Sequence, residues 1–363
     1  MLVMRIAMTS SVARGSSELT RDSLFVTPSD FCCILRPSGF GLRVRAHIFQ
    51  NKYGDTMTLR RTQRLGAGLI FILWMLPRLF QIPRSPRTLV VLLGNLRCGE
   101  AAWDSLNRHV LRVNDADLAL VTQRPHPHYQ NSTLFQRAKH VWYVDGDWDA
   151  GLERMSPGWT TRVLPLLNNS SRLLGGVKGM DGSAAIIFYL RWFFLQKLDE
   201  VEAYDRFIVT RNDHYYSCDL DLTQLDPTHI WIPEGENYGG ICDRHMVVSS
   251  ENLRAALNVL QPLLDHPENY RKLLSRKVAN GERLLQSTLK RHNLLHSVRR
   301  YPRNMFTCGL PHDSTRGALL SADPVTEGVH LKYPKEYELT QITCQCKNLG
   351  KACRERLPRP PLP

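Results

Sequence analysis

The chain has 363 residues, 43% hydrophobic and 22% charged, which excludes disorder along its whole length and allows one large domain or two modest ones. Its formal net charge of +13 and pI near 9.5 point to an anionic partner. Much of that charge is local, since residues 1–64 hold ten Lys/Arg against four Asp/Glu. No aromatic-interleaved basic stripe or nucleic-acid motif follows, which argues against nucleic acid as the partner.

Residues 1–64 read as a basic cytoplasmic tail without clear periodicity. Met57 opens a compact basic-then-apolar start, so residues 1–56 read as dispensable. Leu65–Leu76 (LGAGLIFILWML) carries no charge, and the apolar character resumes past Pro77 and Arg78 to Ile82. As a helix, residues 65–82 span roughly 27 Å, just enough to cross a bilayer with Arg78 reaching an interface. Arg60, Arg61 and Arg64 stand before it, so the positive-inside rule keeps the N-terminus cytoplasmic and translocates the rest. The expectation is a single-pass type II signal anchor, a stem at 83–87 and a lumenal domain in the Golgi or endoplasmic reticulum. Glycosylation sequons at Asn131, Asn168 and Asn169 all follow the anchor. Nine cysteines, with Cys344, Cys346 and Cys353 clustered but no zinc-type pair, favour disulfides over a metal site.

Beyond the stem, Thr88–Gly94 (TLVVLLG) reads as a buried strand and Cys98–Arg112 as a helix. Strands are expected at Asp117–Thr122, Val141–Val144, Arg206–Thr210, His229–Pro233 and His245–Ser249. Helices are expected at Ala184–Val201, Glu251–Leu260, Glu268–Ala279 and Gly281–His292. This alternation predicts an α/β fold: a Rossmann-like, mixed and mostly parallel sheet flanked by helices over 88–340. Residues 341–363, with their cysteines and the ending RERLPRPPLP, read as a tail.

Three segments carry candidate chemistry. The first strand ends at Gly94, Asn95 and Arg97 before a helix, the usual place for a nucleotide on an α/β sheet, although neither GxGxxG nor a Walker lysine is present. The strand RFIVT runs into Arg211, Asn212, Asp213 and His214. There a carboxylate can hold a divalent cation and an arginine can pair a phosphate. Residues 234–245 form a dense polar loop. Glu234, Glu236, Asp243 and His245 are acid/base candidates, while Tyr238, Gly239, Gly240 and Arg244 can line an acceptor. Asp145-Gly146-Asp147 has a literal Asp-x-Asp spacing, but Gly151 to Gly158 after it reads as exposed loop, so Asp213 on a central strand is the preferred metal residue.

The order LVVLLGNLRCGEAAW (89–103), YDRFIVTRNDHYY (204–216) and IWIPEGENYGGICDRH (230–245) resembles a group of A-type-fold glycosyltransferases, with weaker echoes in PRNMFTC (302–308) and KYPKEYEL (332–339). The resemblance implies a Rossmann-like nucleotide-binding half, often behind a type II anchor. It implies transfer of a sugar from a nucleotide-sugar donor to a hydroxyl on a glycan, protein or lipid. In such enzymes an Asp-x-Asp holds Mn2+ or Mg2+ and the donor, and a later loop Asp serves the sugar or acceptor. Here Arg211 stands where the first Asp would be, leaving Asp213 as the one acid. A catalytically inactive, membrane-anchored glycan-binding or scaffold protein on the same fold is the alternative.

Overall fold

The computed structural model describes residues 31–38, 41–48 and 86–349, apart from 126, 169, 170, 278 and 314–318. The expected anchor at 65–82, most of the stem and the Pro-rich end lie outside these residues. No helix among the described residues is long and apolar enough to cross a membrane. The chain divides at Pro83 into two units. In the first, β1 (Phe31–Ser38) and β2 (Gly41–Ile48) form an antiparallel hairpin.

The second unit is a mixed α/β fold built on a mostly parallel seven-stranded sheet with helices on both faces. Its strands are β3 (Thr88–Leu93), β4 (Asp117–Thr122), β5 (Ala138–Tyr143), β6 (Arg206–Arg211), β8 (Ile230–Pro233), β9 (Met246–Ser249) and β10 (Val298–Tyr301). They lie in the order β10-β8-β9-β6-β3-β4-β5. β6, β3, β4 and β5 are mutually parallel, while β9 is antiparallel to both its neighbours. The continuous apolar run of β3 is explained by its place beside β6 and β4, with all six residues buried. Its side chains alternate between two cores: Leu89, Val91 and Leu93 in one, Val90 and Leu92 in the other.

From β3 the chain steps outward through β4 to β5. α1 (Gly99–Leu106) and a short helix at Thr133–Arg137 contribute Trp103, Leu106 and Leu134 to the second core. The return passes over the opposite face, through α2 (Trp148–Met155) and α3 (Ala184–Leu195), and enters β6 on the other side of β3. The order of strands therefore reverses between β3 and β6. α3 is almost wholly apolar (AAIIFYLRWFFL) because it lies under α4 (Ser250–Leu257) and beside α2 as well as on the sheet. α5 (Gly281–Arg291), capped by the Asn280 side chain, packs on the same side.

A four-stranded antiparallel sheet, β12-β13-β11-β7, completes the unit. It comprises β7 (His214–Tyr216), β11 (Met305–Gly309), β12 (Pro324–Thr326) and β13 (Val329–Leu331). α6 (Pro334–Leu349) packs on β11, with Thr340 Oγ1 donating to the Met305 carbonyl at 2.9 Å. Disulfides join Cys98 to Cys308 and Cys218 to Cys344, Cys346 is also disulfide-bonded, and Cys242 is free and buried.

Several expected elements differ. The helix over Cys98–Arg112 ends at Leu106 and widens into a π turn, Asn107–Leu111. Glu268–Ala279 yields only a 3-10 turn, Pro267–Tyr270, and the single turn Arg271–Leu274. The Asp145–Gly158 stretch is largely helical, because the Asp147 carboxylate accepts from Ala150 N at 3.0 Å and starts α2. The boundary expected at 340 falls inside α6.

Candidate active site

β3 ends at Gly94, whose φ of +105° an L side chain rarely adopts, and the chain turns through Asn95 and Arg97 into α1. β6 ends at Arg211 and β7 starts at His214. At these strand ends lies a cavity of about 210 Å3 lined by Gly94, Asn95, Arg97, Arg211, Asn212 and Asp213. Gln123 joins from just beyond β4, Trp148 and Ser183 from the return segment, and Lys332 from just beyond β13. Asn212 ties the two strand ends together, its Nδ2 donating to the Gly94 carbonyl at 2.7 Å. The Asn95 amide donates to Gln123 Oε1. A crevice outside the carboxyl ends of parallel strands, where strand order reverses, is where doubly wound sheets bind ligands.

The crevice is cationic. Arg211 grips Asp213 with Nε to Oδ1 at 2.7 Å and Nη2 to Oδ2. Burial alone would raise Asp213, but the Arg211 guanidinium outweighs it and holds the carboxyl at about 2. Arg97 and Lys332 also act on the Asp213 charge, so three cations share one carboxylate. Lys332 is 4% exposed, and burial followed by repulsion from Arg211 lowers its ammonium to about 8. Sequence reasoning missed Lys332 as a site residue. It stands about 120 positions from Asp213, and only topology brings them together.

From Lys332 a continuous chain of contacts leads to the polar loop. Its neighbour Tyr333 lies under the Arg244 guanidinium, 4.1 Å from ring centroid to Cζ. Arg244 pairs with Glu336 at 2.7 Å and approaches Glu236 at 3.6 Å. Glu336 also pairs with Arg303 at 3.2 Å and accepts from Thr307 N at 2.7 Å. Burial would raise its carboxyl, but the two arginines hold it at about 2. The Tyr238 hydroxyl donates to Glu236, and partial burial followed by that hydrogen bond pushes the phenol up to about 12. Glu236 and Tyr238, at φ +53° and +45°, lie in a loop whose Gly235 and Gly239 on either side are also at positive φ. Left-handed backbone at the two non-glycine residues costs about 1–2 kcal/mol each, so the surrounding contacts over-determine this loop.

Asp243 is buried, with its carbonyl accepting from Arg191 Nη2. Its carboxylate faces the start of α5, where a Cβ on Gly281 would stand 2.7 Å from Oδ2. Beside it, burial and then the Asp243 charge push Glu282 up to about 7, within the range of a general base or acid. Glu282 is a second residue that sequence reading missed, although it follows a helix cap next to the loop in space. The Glu234 backbone carbonyl accepts from Arg303 Nε at 2.7 Å, and burial raises its carboxyl. Gly240 has no room for a side chain, since a Cβ there would meet the Glu282 backbone at 2.2 Å.

His214 and His245 do not reach the crevice. Both are buried in a neutral cluster in which the Thr210 hydroxyl meets His214 Nδ1 at 2.9 Å, His245 Nδ1 at 3.0 Å and the Tyr216 hydroxyl at 3.3 Å. Burial lowers His214 to about 4 and holds His245 well below its ordinary value. Neither lines the crevice.

The residues do not fit a divalent cation. Both Asp213 oxygens are engaged by Arg211, and Asp213 is the one carboxylate lining the crevice. Asp145 and Asp147 bond to local backbone amides, and no group of three metal-ligating side chains exists among the described residues. Of the sequons, Asn131 is exposed, Asn168 is half-buried, and Asn169 lies outside the described residues. No protein-family model matches the chain, and no curated protein does. The case for function therefore rests on this geometry.

Proposed function

We propose that the chain is a glycosyltransferase that moves a sugar from a nucleotide-sugar donor to an acceptor hydroxyl on a glycan, protein or lipid. The observation that carries this reading is the crevice at the β3/β6 switch point, where Arg97, Arg211 and Lys332 surround a single, already paired carboxylate. Such a site suits a diphosphate, and its volume takes the diphosphate while base and sugar extend over the open rim past Trp148. The acceptor oxygen attacks the anomeric carbon as the carbon–oxygen bond to the diphosphate breaks. The three cations stabilise the charge that develops on the leaving group. The acceptor proton passes to Glu236 or to the Asp243–Glu282 pair. No step is routed through Mn2+ or Mg2+.

The disulfides and the exposed Asn131 sequon support a lumenal domain, in keeping with a type II anchor at 65–82 in the Golgi or endoplasmic reticulum. The closed Arg211–Asp213 pair favours the second reading, a nucleotide- or glycan-binding protein without turnover. Calorimetry of the full chain with nucleoside diphosphates, with and without Mn2+, followed by a nucleotide-sugar hydrolysis screen, separates the two. Expected is metal-independent binding that Arg211→Gln and Lys332→Met each weaken at least about tenfold, with Lys332→Met leaving the fold as stable as before. Binding without hydrolysis of any donor selects the inactive reading. Absence of binding, or binding indifferent to both substitutions, overturns the assignment of the crevice.

A further inference from the structure

A second cavity of about 430 Å3, twice the volume of the crevice, lies between α5 and the segment around Arg271–Leu274. Lys272 and Arg276 line one wall, Arg283 and Lys290 the other, and no Asp or Glu lines it. None of these four cations has an ion-pair partner among the described residues. On α5, Arg283, Gln286, Ser287 and Lys290 fall at i, i+3, i+4 and i+7, which is one helix face, while Leu284, Leu285 and Leu289 are buried on the other. Seven residues of helix place Arg283 and Lys290 about 10 Å apart along the axis. That spacing suits an extended ligand with repeated charges better than a single ion.

The groove runs into the polar loop. Gly239 lines it, and a Cβ there would stand 2.8 Å from Arg283 Nη2, so glycine is what lets the guanidinium reach the loop. Asn280, the cap of α5, donates its Nδ2 to the Tyr238 carbonyl at 3.0 Å. Arg283 Nε is buried without a hydrogen-bond partner. Like charges gathered without counter-charge raise the local concentration of anions.

We propose that this groove binds the acceptor, and that the acceptor is an anionic glycan bearing sulfate, phosphate or carboxylate groups along its length. The acceptor role rests on the transferase reading above; the binding of an anionic glycan does not. Gln286 and Ser287, set between the charges, suit sugar hydroxyls. A membrane surface fits less well, because the exposed large hydrophobic residues among those described are Val113, Tyr143, Tyr238 and Leu319, and none lines the groove. Single-stranded nucleic acid would need an aromatic platform, and the one aromatic lining residue, Tyr270, is 3% exposed.

The test is fluorescence titration of the full chain with a sulfated oligosaccharide and its desulfated counterpart, at low and physiological salt. The sulfated form binds and weakens with salt, whereas the desulfated form binds at least about tenfold more weakly. Lys272→Glu with Lys290→Glu lowers affinity about tenfold or more. Arg112→Glu with Arg154→Glu, an equal change of net charge at exposed sites elsewhere, leaves it within about twofold. Equal losses in the two double variants, equal binding of the desulfated sugar, or tighter binding to phosphatidylserine vesicles or single-stranded DNA would each overturn the proposal. Diphosphate binding, measured on the same proteins, is unchanged by either pair. A chain that binds the sulfated glycan but no nucleoside diphosphate keeps the groove and sinks the transferase reading instead.

Discussion

Two buried polar clusters stand side by side and follow opposite rules. One is charged and opens on the crevice: Arg211, Asp213, Lys332, Arg244, Glu336 and Arg303. The other is neutral and sealed: Thr210, His214, His245 and Tyr216, with the Tyr301 ring edge-on to His245. Successive residues divide between them, so that Thr210 and Arg211, Asp213 and His214, and Arg244 and His245 each split across the boundary. A protein interior tolerates charge only where it is paired or wet, and otherwise it strips the proton from a base. Chemistry-bearing residues in one motif can therefore have unrelated roles, decided by which way the backbone turns each one.

The comparison breaks most severely if Glu336 is removed. Glu336→Ala leaves Arg244 and Arg303 buried without their shared partner, and urea unfolding should show a loss of about 3–5 kcal/mol. A smaller loss would mean that water already reaches the network.

The neutral cluster is tested by pH. His214 is lowered to about 4 from 6.5 and His245 is also held well below its ordinary value, so the unfolded chain binds protons that the folded chain refuses. Stability therefore falls as pH drops below about 6.5, by up to about 1.4 kcal/mol per pH unit for each histidine. Asp213 and Glu336, both held at about 2, contribute fully above about 4.5 and lose that contribution only below it. Glu282, raised to about 7, holds a proton in the fold over the interval from about 4.5 to 6.5 and opposes the histidines there, so His245 is isolated by comparing the slope with and without it. His245→Gln should reduce the slope of stability against pH there by about one proton. An unchanged slope would show His245 protonated in the fold.

The smallest effect sharpens the boundary itself. Thr210→Val removes the hydroxyl shared by both histidines and should cost about 1–3 kcal/mol while leaving diphosphate binding intact. Its neighbour Arg211→Gln should weaken diphosphate binding and also cost stability, because it leaves the buried Asp213 carboxylate without its partner. If Thr210→Val also weakens binding, the two clusters act as one.

The central strands were legible in the sequence because burial on both faces writes a continuous apolar run, as in TLVVLL and RFIVT. β7, β10, β11, β12 and β13 were not, since three to five residues such as VRRY or MFTCG carry no period. α6 was obscured by the Pro-rich residues after it, which drew the domain boundary too early. In the site, Gly94, Asn95, Arg97, Arg211 and Asp213 meet as the strand–turn pattern implied. The metal assignment of Asp213 overlooked that Arg211, two residues away, can close back on it. Lys332 and Glu282 carry no local signal, because their meaning comes from partners far along the chain.

The two described disulfides overlap along the sequence, one closing residues 98–308 and the other 218–344. Any peptide bond between Cys218 and Cys308 lies inside both rings. A protease cutting there would leave two fragments that run apart only under reducing conditions, and the crevice, whose walls come from both fragments, would keep its residues together. Polyhistidine-tagged chain clipped in that interval would still be captured whole. A molecule that looks intact on a non-reducing gel can already have been opened, so proteolysis of this protein has to be read from reduced samples.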